Sequence, residues 1–265
     1  YFILPSITAG NYQGRQVVFP ILAEIPIPMD DWLAFLGIWI SNGSCSYNQI
    51  CISQKAPAKS AIIEKLLLRL PFKFVKHNNA FYCDDEQLSA YLQAFDRSWE
   101  KYMPPFVKDL SSRQISIFLD WYALFNDTTI RNNSRTFYVR SKRLADDLQE
   151  LLLKVGRVGI VKTRQGEGKI WVVDRFADEP QMQYEVMEQV HPQDSYIDRG
   201  ATKIIDYSGR VYCAMVRNHI MYVRRNGKPC WCGNTLMWWS DRNKIFENTL
   251  EKMQPRLAES RYVGY

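Results

Sequence analysis

No stretch of this 265-residue sequence approaches the roughly 20 apolar residues that a membrane-spanning helix needs. The longest apolar run, WLAFLGIWI from Trp32 to Ile40, stops at about nine. No basic leader with an apolar core opens the chain, so a secretory signal is not read. Cysteine is sparse: six residues (Cys45, Cys51, Cys83, Cys213, Cys230 and Cys232) spread thinly. That argues against a disulfide framework and suits a reducing compartment. Cys230 and Cys232 flank Trp231, but a single C-x-C without a second pair is a weak zinc signal. Neither sign of charge is in large excess. A net charge of +6 leaves room for a polyanionic partner and equally describes a mildly basic soluble protein. These absences predict a cytoplasmic chain with no membrane partner.

Hydrophobic composition of 46% and 23% charge are those of a globular chain large enough to bury a core. The start at Tyr1 rather than Met predicts a piece of something larger. Residues 1–28 are extended and broken by Pro5, Pro20, Pro26 and Pro28, the pattern of strands and linker. A helix is predicted from about Met29, capped by Asp30 or Asp31, with Trp32, Phe35, Leu36 and Trp39 on one face and a stop at Asn42-Gly43. Strand-like CSYNQICISQ, the helix PAKSAIIEKLLLRL, a strand pair turning at His77-Asn78-Asn79 and the helix EQLSAYLQAF follow. The same order recurs. SSRQISIFLDWYALFNDT reads as a helix, SRTFYVRS as a strand, and SKRLADDLQELLLKVG as a helix capped by Ser141 and stopped by Gly156. VGIVKTRQGEGKIWVVDRF reads as a hairpin around Gly166-Glu167-Gly168. The expectation is an α+β fold: a duplicated αββαββα domain over 29–175 (halves 29–98 and 99–175), then an all-β segment over 176–234 with turns at Ser208-Gly209 and Asn226-Gly227. Residues 235–265 read as a separate helical stretch from about Asp241 to Gln254, stopped by Pro255.

Two helices at equivalent points of a duplication invite pairing across a pseudo-twofold, and FLGIWISNG (Phe35 to Gly43) offers Gly37, Ser41 and Gly43 for close contact. The same spacing also fits an ordinary amphipathic core helix. With the order of elements, the stretch resembles the signature helix of the LAGLIDADG homing endonucleases, and DWYALFNDT (Asp120 to Thr128) resembles a degraded second copy. The resemblance implies side-by-side helices, each ending in an acid, with the two acids holding Mg²⁺ for phosphodiester cleavage of double-stranded DNA. In register those positions are Asn42 and Asp127, so one carboxylate is replaced by a neutral amide and any metal held by Asp127 and Asn42 is weak. Asp127 reads equally as a solvated turn residue. Trp121 and Tyr122 would hold the helices apart unless the partner face is recessed. Arg135, Tyr138, Arg140, Lys162 and Arg164 are the DNA-binding candidates; each basic one also fits a plain surface charge. The resemblance implies a monomer with an internal pseudo-twofold, and a nuclease that is weakened, active through another acid, or silent.

The tail GRVYCAMVRNHIMYVRRNGKPCWCGNT is similar to the C-terminal splicing blocks of inteins, through Val211-Tyr212-Cys213, Val216, His219, Asn226-Gly227 and Asn234-Thr235. The resemblance implies a Hint-type splicing segment, with residues 1–28 leading out of a missing N-terminal intein half and 235–265 as host protein (extein). Thr235 would take over the N-terminal host segment, and Asn234 would cyclise and cut the chain. His219 is the acid–base candidate; it also fits a strand histidine. Gly233 stands where a His usually precedes the terminal Asn, and Cys213 where an Asp is common; Cys213 also fits a buried thiol. Splicing needs no cofactor, and the nuclease would need Mg²⁺. The N-terminal blocks, with a leading nucleophile and Thr-x-x-His, are absent from the sequence, so this chain by itself is not expected to splice.

Overall fold

The computed structural model describes residues 1–6, 9–12, 15–18, 23–46, 48–95, 101–126, 128–131, 134–166, 169–172, 175–178, 181–189, 206, 208–210, 216 and 220–233. Two units divide the chain, Tyr1–His191 and Pro192–Tyr265.

The proline-broken start forms short antiparallel pairs, β1 (Phe2–Leu4) with β4 (Ile25–Ile27) and β2 (Ala9–Tyr12) with β3 (Arg15–Val18). Helix α1 (Met29–Asn42) follows. Its N-cap position is Pro28, with no side-chain cap; Asp30 and Asp31, expected to cap, lie inside the first turn instead. Carboxylates are favoured there by the helix dipole, and each takes an arginine. Arg113 donates to Asp30 at 2.8 and 3.1 Å, and Arg69 reaches Asp31 at 2.8 Å. Trp32, Phe35, Leu36 and Trp39 are buried as their spacing predicts, but so is every residue from Trp32 to Ile40. A helix apolar all round is a central helix, not a surface one.

After α1 come β5 (Gly43–Ser46), β6 (Gln49–Ser53), α2 (Pro57–Leu67), β7 (Val75–His77), β8 (Ala80–Cys83) and α3 (Glu86–Gln93). The strands form one antiparallel sheet in the order β5-β6-β8-β7. Asn78, with φ of 51°, takes the left-handed conformation that closes the β7–β8 turn. Asp85 caps α3 by accepting from the Leu88 N–H at 2.8 Å.

The second half repeats the order. Helix α4 (Ser112–Phe125) opens on a capping box between Ser111 and Gln114. Then come β9 (Thr128–Arg131), β10 (Ser134–Val139) and α5 (Lys142–Lys154), the last capped by Ser141 and followed by Gly156 at φ 76°. The sheet is completed by β11 (Val158–Gly166) and β14 (Gln181–Gln189), in the order β11-β14-β10-β9. This corrects two expectations. The hairpin around Gly166-Glu167-Gly168 does not form from its two flanks; β11 pairs with β14, while β12 (Lys169–Val172) pairs with β13 (Arg175–Asp178). The second half also does not close at 175, because Gln181–Gln189 lies inside its sheet. The reason is burial: Val186 is register partner of both Val161 and Phe137, and all three are buried.

The duplication brings α1 and α4 together, and Gly37 sets their distance. A Cβ at Gly37 would lie 2.9 Å from the Tyr122 nitrogen, 3.0 Å from the Phe118 oxygen and 3.1 Å from the Trp121 Cβ. The two backbones therefore touch. Trp121 and Tyr122 do not prop the helices apart, because the partner face is recessed at Gly37 and the Tyr122 ring packs near Phe118 and Phe137. Replacing Gly37 by Leu forces the pair open; a loss of about 1–3 kcal/mol is expected, read as a lower urea midpoint.

Within the second unit, β15 (Ile220–Arg225) and β16 (Lys228–Gly233) form a hairpin. Asn226 and Gly227, at φ 52° and 74°, make the two-residue turn that the sequence predicts. Most of 190–219, all of 234–265, and with them the helix expected near Asp241–Gln254, lie outside the described residues.

Candidate nucleic-acid interface at the helix ends

Both central helices end at one cavity of about 620 Å³. Gly43 follows α1 with an extended backbone (φ −88°, ψ 153°), and its N–H donates to the Trp39 carbonyl. The residue is glycine for space, not for conformation: a Cβ would fall 2.3 Å from Trp39 Cδ1. Helix α4 is followed by Asn126, whose N–H donates to the Tyr122 carbonyl at 2.8 Å. Strand register fixes the equivalence of the halves further on. Gly43 faces Ile52 and Thr128 faces Phe137. Asn42 and Asp127 therefore stand at equivalent points of the sequence, as do Lys55 and Arg140. Asp127 itself lies outside the described residues.

Asn42 is already engaged. Its Oδ1 accepts from Ser41 Oγ at 2.7 Å, and its Nδ2 donates to the Ser53 carbonyl at 3.2 Å. Asn126 donates through Nδ2 to the Tyr122 hydroxyl at 2.8 Å; its buried Oδ1 has no partner among the described residues. At the end of α1 lies Lys101, buried, whose Nζ donates to the Gly43 carbonyl at 2.7 Å and the Ile40 carbonyl at 3.4 Å. A cation suits the negative end of a helix, and the Trp39 ring lies 5.0 Å below it. Lys55, Lys59 and Arg140 line the same cavity. No carboxylate does among the described residues, and no group of three or more His, Cys, Asp or Glu is found among them. Mg²⁺ demands hard anionic oxygens and sheds water reluctantly. Asn42, a neutral and occupied amide, does not by itself supply such an oxygen.

The sheets sort the predicted DNA contacts. Directly opposed residues in an antiparallel ladder share a face. Tyr138, Glu185 and Lys162 are opposed in turn across β10, β14 and β11, and Arg164 shares the Lys162 face. That face points away from the buried row of Phe137, Val186 and Val161, and Lys162, Arg164 and Arg140 are exposed on the molecule. Arg164 is held by Glu185 at 2.8 Å. Arg135 is the exception: its side chain lies on the core side. It donates to Glu188 at 2.6 and 3.1 Å and to Asp120 at 2.7 Å. Arg157 donates to the same Glu188. Burial pushes the Glu188 carboxyl up, but the two guanidiniums outweigh it and hold the group below its ordinary range. Arg135 is therefore held on the core side as an ion-pair partner.

Of the splicing candidates, Cys213, His219, Asn234 and Thr235 lie outside the described residues; Gly233 closes β16, opposite Ile220. Sequence reading missed Lys55, Lys59 and Lys101. Lys55 was discoverable as the counterpart of Arg140 in the other half; Lys101, in an irregular connection, carries no periodic signal.

No family model matches the chain. It is 29% identical over 186 residues to a protein of Chlamydomonas moewusii described as the ATP-dependent Clp protease proteolytic subunit, covering 64% of this chain and 18% of that protein. It is 26% identical, over an alignment of 293 residues, to the DNA-directed RNA polymerase subunit beta C-terminal section of Stigeoclonium helveticum, covering 88% of this chain and 26% of that one. The chain thus spans about a quarter or less of the length of these relatives. Among solved structures it is similar to mesophilic variants of the homing endonuclease I-DmoI (TM-score 0.37, 12% identity, 61% of this chain and 89% of that one). It is similar also to I-DmoI in complex with DNA and Ca (0.38, 12%, 61% and 84%). The N-terminal LAGLIDADG domain of DUF199/WhiA compares at 0.38 and 11% identity, over 63% of this chain and 79% of that one. Among the described residues no helix is long and apolar enough to cross a membrane.

Proposed function

We propose that the chain is the C-terminal part of an intein that carries a LAGLIDADG-type domain, and that this domain binds double-stranded DNA with its cleavage activity lost or weakened. The observation that carries the second statement is the cavity at the ends of the paired helices, which gathers Lys55, Lys59, Lys101 and Arg140 and no described carboxylate. Such a site attracts phosphate oxygens and repels divalent cations. Support for the first statement comes from the tail and from the two relatives. Similarity to two differently described proteins, over 18% and 26% of their lengths, is what an inserted segment would give. Residues 235–265 are then host sequence and those before them the splicing segment. The open end of the β15–β16 hairpin is the register pair Ile220–Gly233. In the sequence His219 precedes Ile220 and Asn234 follows Gly233, and His219 is kept as the acid–base candidate for Asn234.

The test of the DNA statement is metal-free retention. The full chain is expected to retain a mixed-sequence duplex in the presence of EDTA, with affinity falling steeply with salt. It is expected to bind Mn²⁺ no more tightly than about millimolar by electron paramagnetic resonance, and Asn42→Asp to tighten that by about ten-fold as a carboxylate enters the site. Retention that requires a divalent ion, or tight Mn²⁺ binding by the unaltered chain, would restore the active-nuclease reading; no retention would remove DNA altogether.

A further inference from the structure

We infer that this chain grips a duplex from one side: the outer face of the second sheet and the helix-end cavity contact the phosphates, and the outer face of the first sheet does not. The inference rests on the DNA reading above and departs from the two-sided grip that an intact duplication would give.

Length is the first argument. In the second half β11 and β14 each run nine residues, whereas β7 has three and β8 four. At about 3.3 Å per residue the long strands span roughly 30 Å, and β6, the longest strand of the first sheet at five residues, roughly 17 Å. Duplex DNA rises about 3.4 Å per base pair, so the second sheet reaches along about nine pairs and the first along about five. The tight turn at Asn78 is what cuts the first sheet short.

Charge is the second argument. On the second sheet Lys162 has no ion-pair partner among the described residues, and Arg164 cancels the buried Glu185 beside it; Arg140, just past β10, lines the cavity as its counterpart Lys55 does. The register gives their counterparts. Lys162 faces Glu185, which faces Tyr138; His77 faces Ala80, which faces Ser53. Ser53 thus stands where Tyr138 does, and His77 where Lys162 does. The outer face of the first sheet presents Gln49, Cys51, Ser53, Val75, His77 and Tyr82, with no lysine or arginine among them. Its half contributes cations to the cavity only, through Lys55 and Lys59. Phosphate contacts supply most non-specific affinity, and a face without cations releases no counterions.

The equivalence of His77 and Lys162 provides the experiment. Each is placed in turn as Glu in the full chain, and a mixed-sequence 30-bp duplex is titrated by fluorescence anisotropy across about 50–200 mM salt. Both positions are exposed, so both variants are expected to keep the far-UV spectrum of the parent. Lys162→Glu is expected to weaken binding about ten-fold or more and to lower the salt slope by at least about one, while His77→Glu stays within about two-fold. Should either Glu variant lose its fold, Lys162→Gln and His77→Gln take their places with the same ordering expected. Equal losses at the two positions, or an unaffected Lys162 variant, overturn the one-sided grip and leave DNA binding standing. An unaltered chain that does not bind the duplex overturns the DNA reading itself.

Discussion

Arg135→Ala is expected to unfold the first unit more readily by about 3–5 kcal/mol, because it strands a buried carboxylate. The Glu188 side chain is fully buried, and the Arg135 side chain is 12% exposed. Together they make two charge-assisted bonds, and the Arg135 N–H adds a third to the same carboxylate at 3.2 Å. Asp120, at 69% exposed, is resolvated when Arg135 is lost, so the cost falls on Glu188. Arg157 stays but is itself partly exposed and reaches Oε1, which leaves Oε2 without the Arg135 guanidinium. A double variant, Arg135→Met with Glu188→Leu, is expected to recover most of the loss, since exchanging a buried pair for apolar groups is often neutral. The measurement is a pair of urea curves. If Arg135→Ala leaves stability intact and only weakens DNA retention, the side chain is a DNA contact after all. The pH dependence has a defined sign. Glu188 has a folded pKa below its ordinary value of 4.5. Its contribution is therefore present above about pH 4.5 and is lost as pH falls through the lower folded value. Glu188→Gln is expected to flatten the acid limb of the stability profile.

The core-side position of Arg135 was legible in the sequence. Side chains alternate along a strand, so residues 135 and 138 cannot share a face. Tyr138 with Arg140, and Lys162 with Arg164, can, and the structure places those pairs on outer faces. Parity thus separates the one internal residue from the four outer ones without any coordinates. Helices were legible where chemistry marks their ends: Ser141 and Gly156 bracket α5, and Ser111 opens α4. Asn226-Gly227 was legible because the two-residue turn needs positive φ at both places. Pairing of β11 with β14 was not, since Gly166-Glu167-Gly168 is a local turn signal and the winning partner comes after an intervening hairpin. Burial of Val186 between Val161 and Phe137 decides it, and that is a tertiary fact. Lys101 was illegible for a related reason. Its role follows from where α1 ends, not from any spacing around it.

Asn234→Ala is expected to abolish release of the C-terminal host segment completely, the largest functional effect that the splicing reading implies. Asn owes its part to geometry: its side-chain amide nitrogen can attack its own main-chain carbonyl and close a five-membered ring. The peptide bond to Thr235 breaks, the Thr235 nitrogen leaves as an amine after taking a proton, and the chain ends in a succinimide. Alanine has no nucleophile with which to begin. Thr235→Ala separates the steps, since it removes the hydroxyl that would accept the N-terminal segment and leaves the ring closure possible. Cleavage after Asn234 without ligation is then expected. Gly233→His supplies a proton donor next to the ring-closing residue and is expected to speed that cleavage by about a hundred-fold or more, the usual scale for a positioned acid or base. The measurement needs an N-terminal splicing half supplied upstream, with mass spectrometry of the products over time. A succinimide mass that persists in Asn234→Ala, or ligated product that forms in Thr235→Ala, is incompatible with the assignment. Unaltered chain that yields neither cleavage nor ligation with a competent upstream half would overturn the splicing reading and leave the DNA reading of the first unit to its own test.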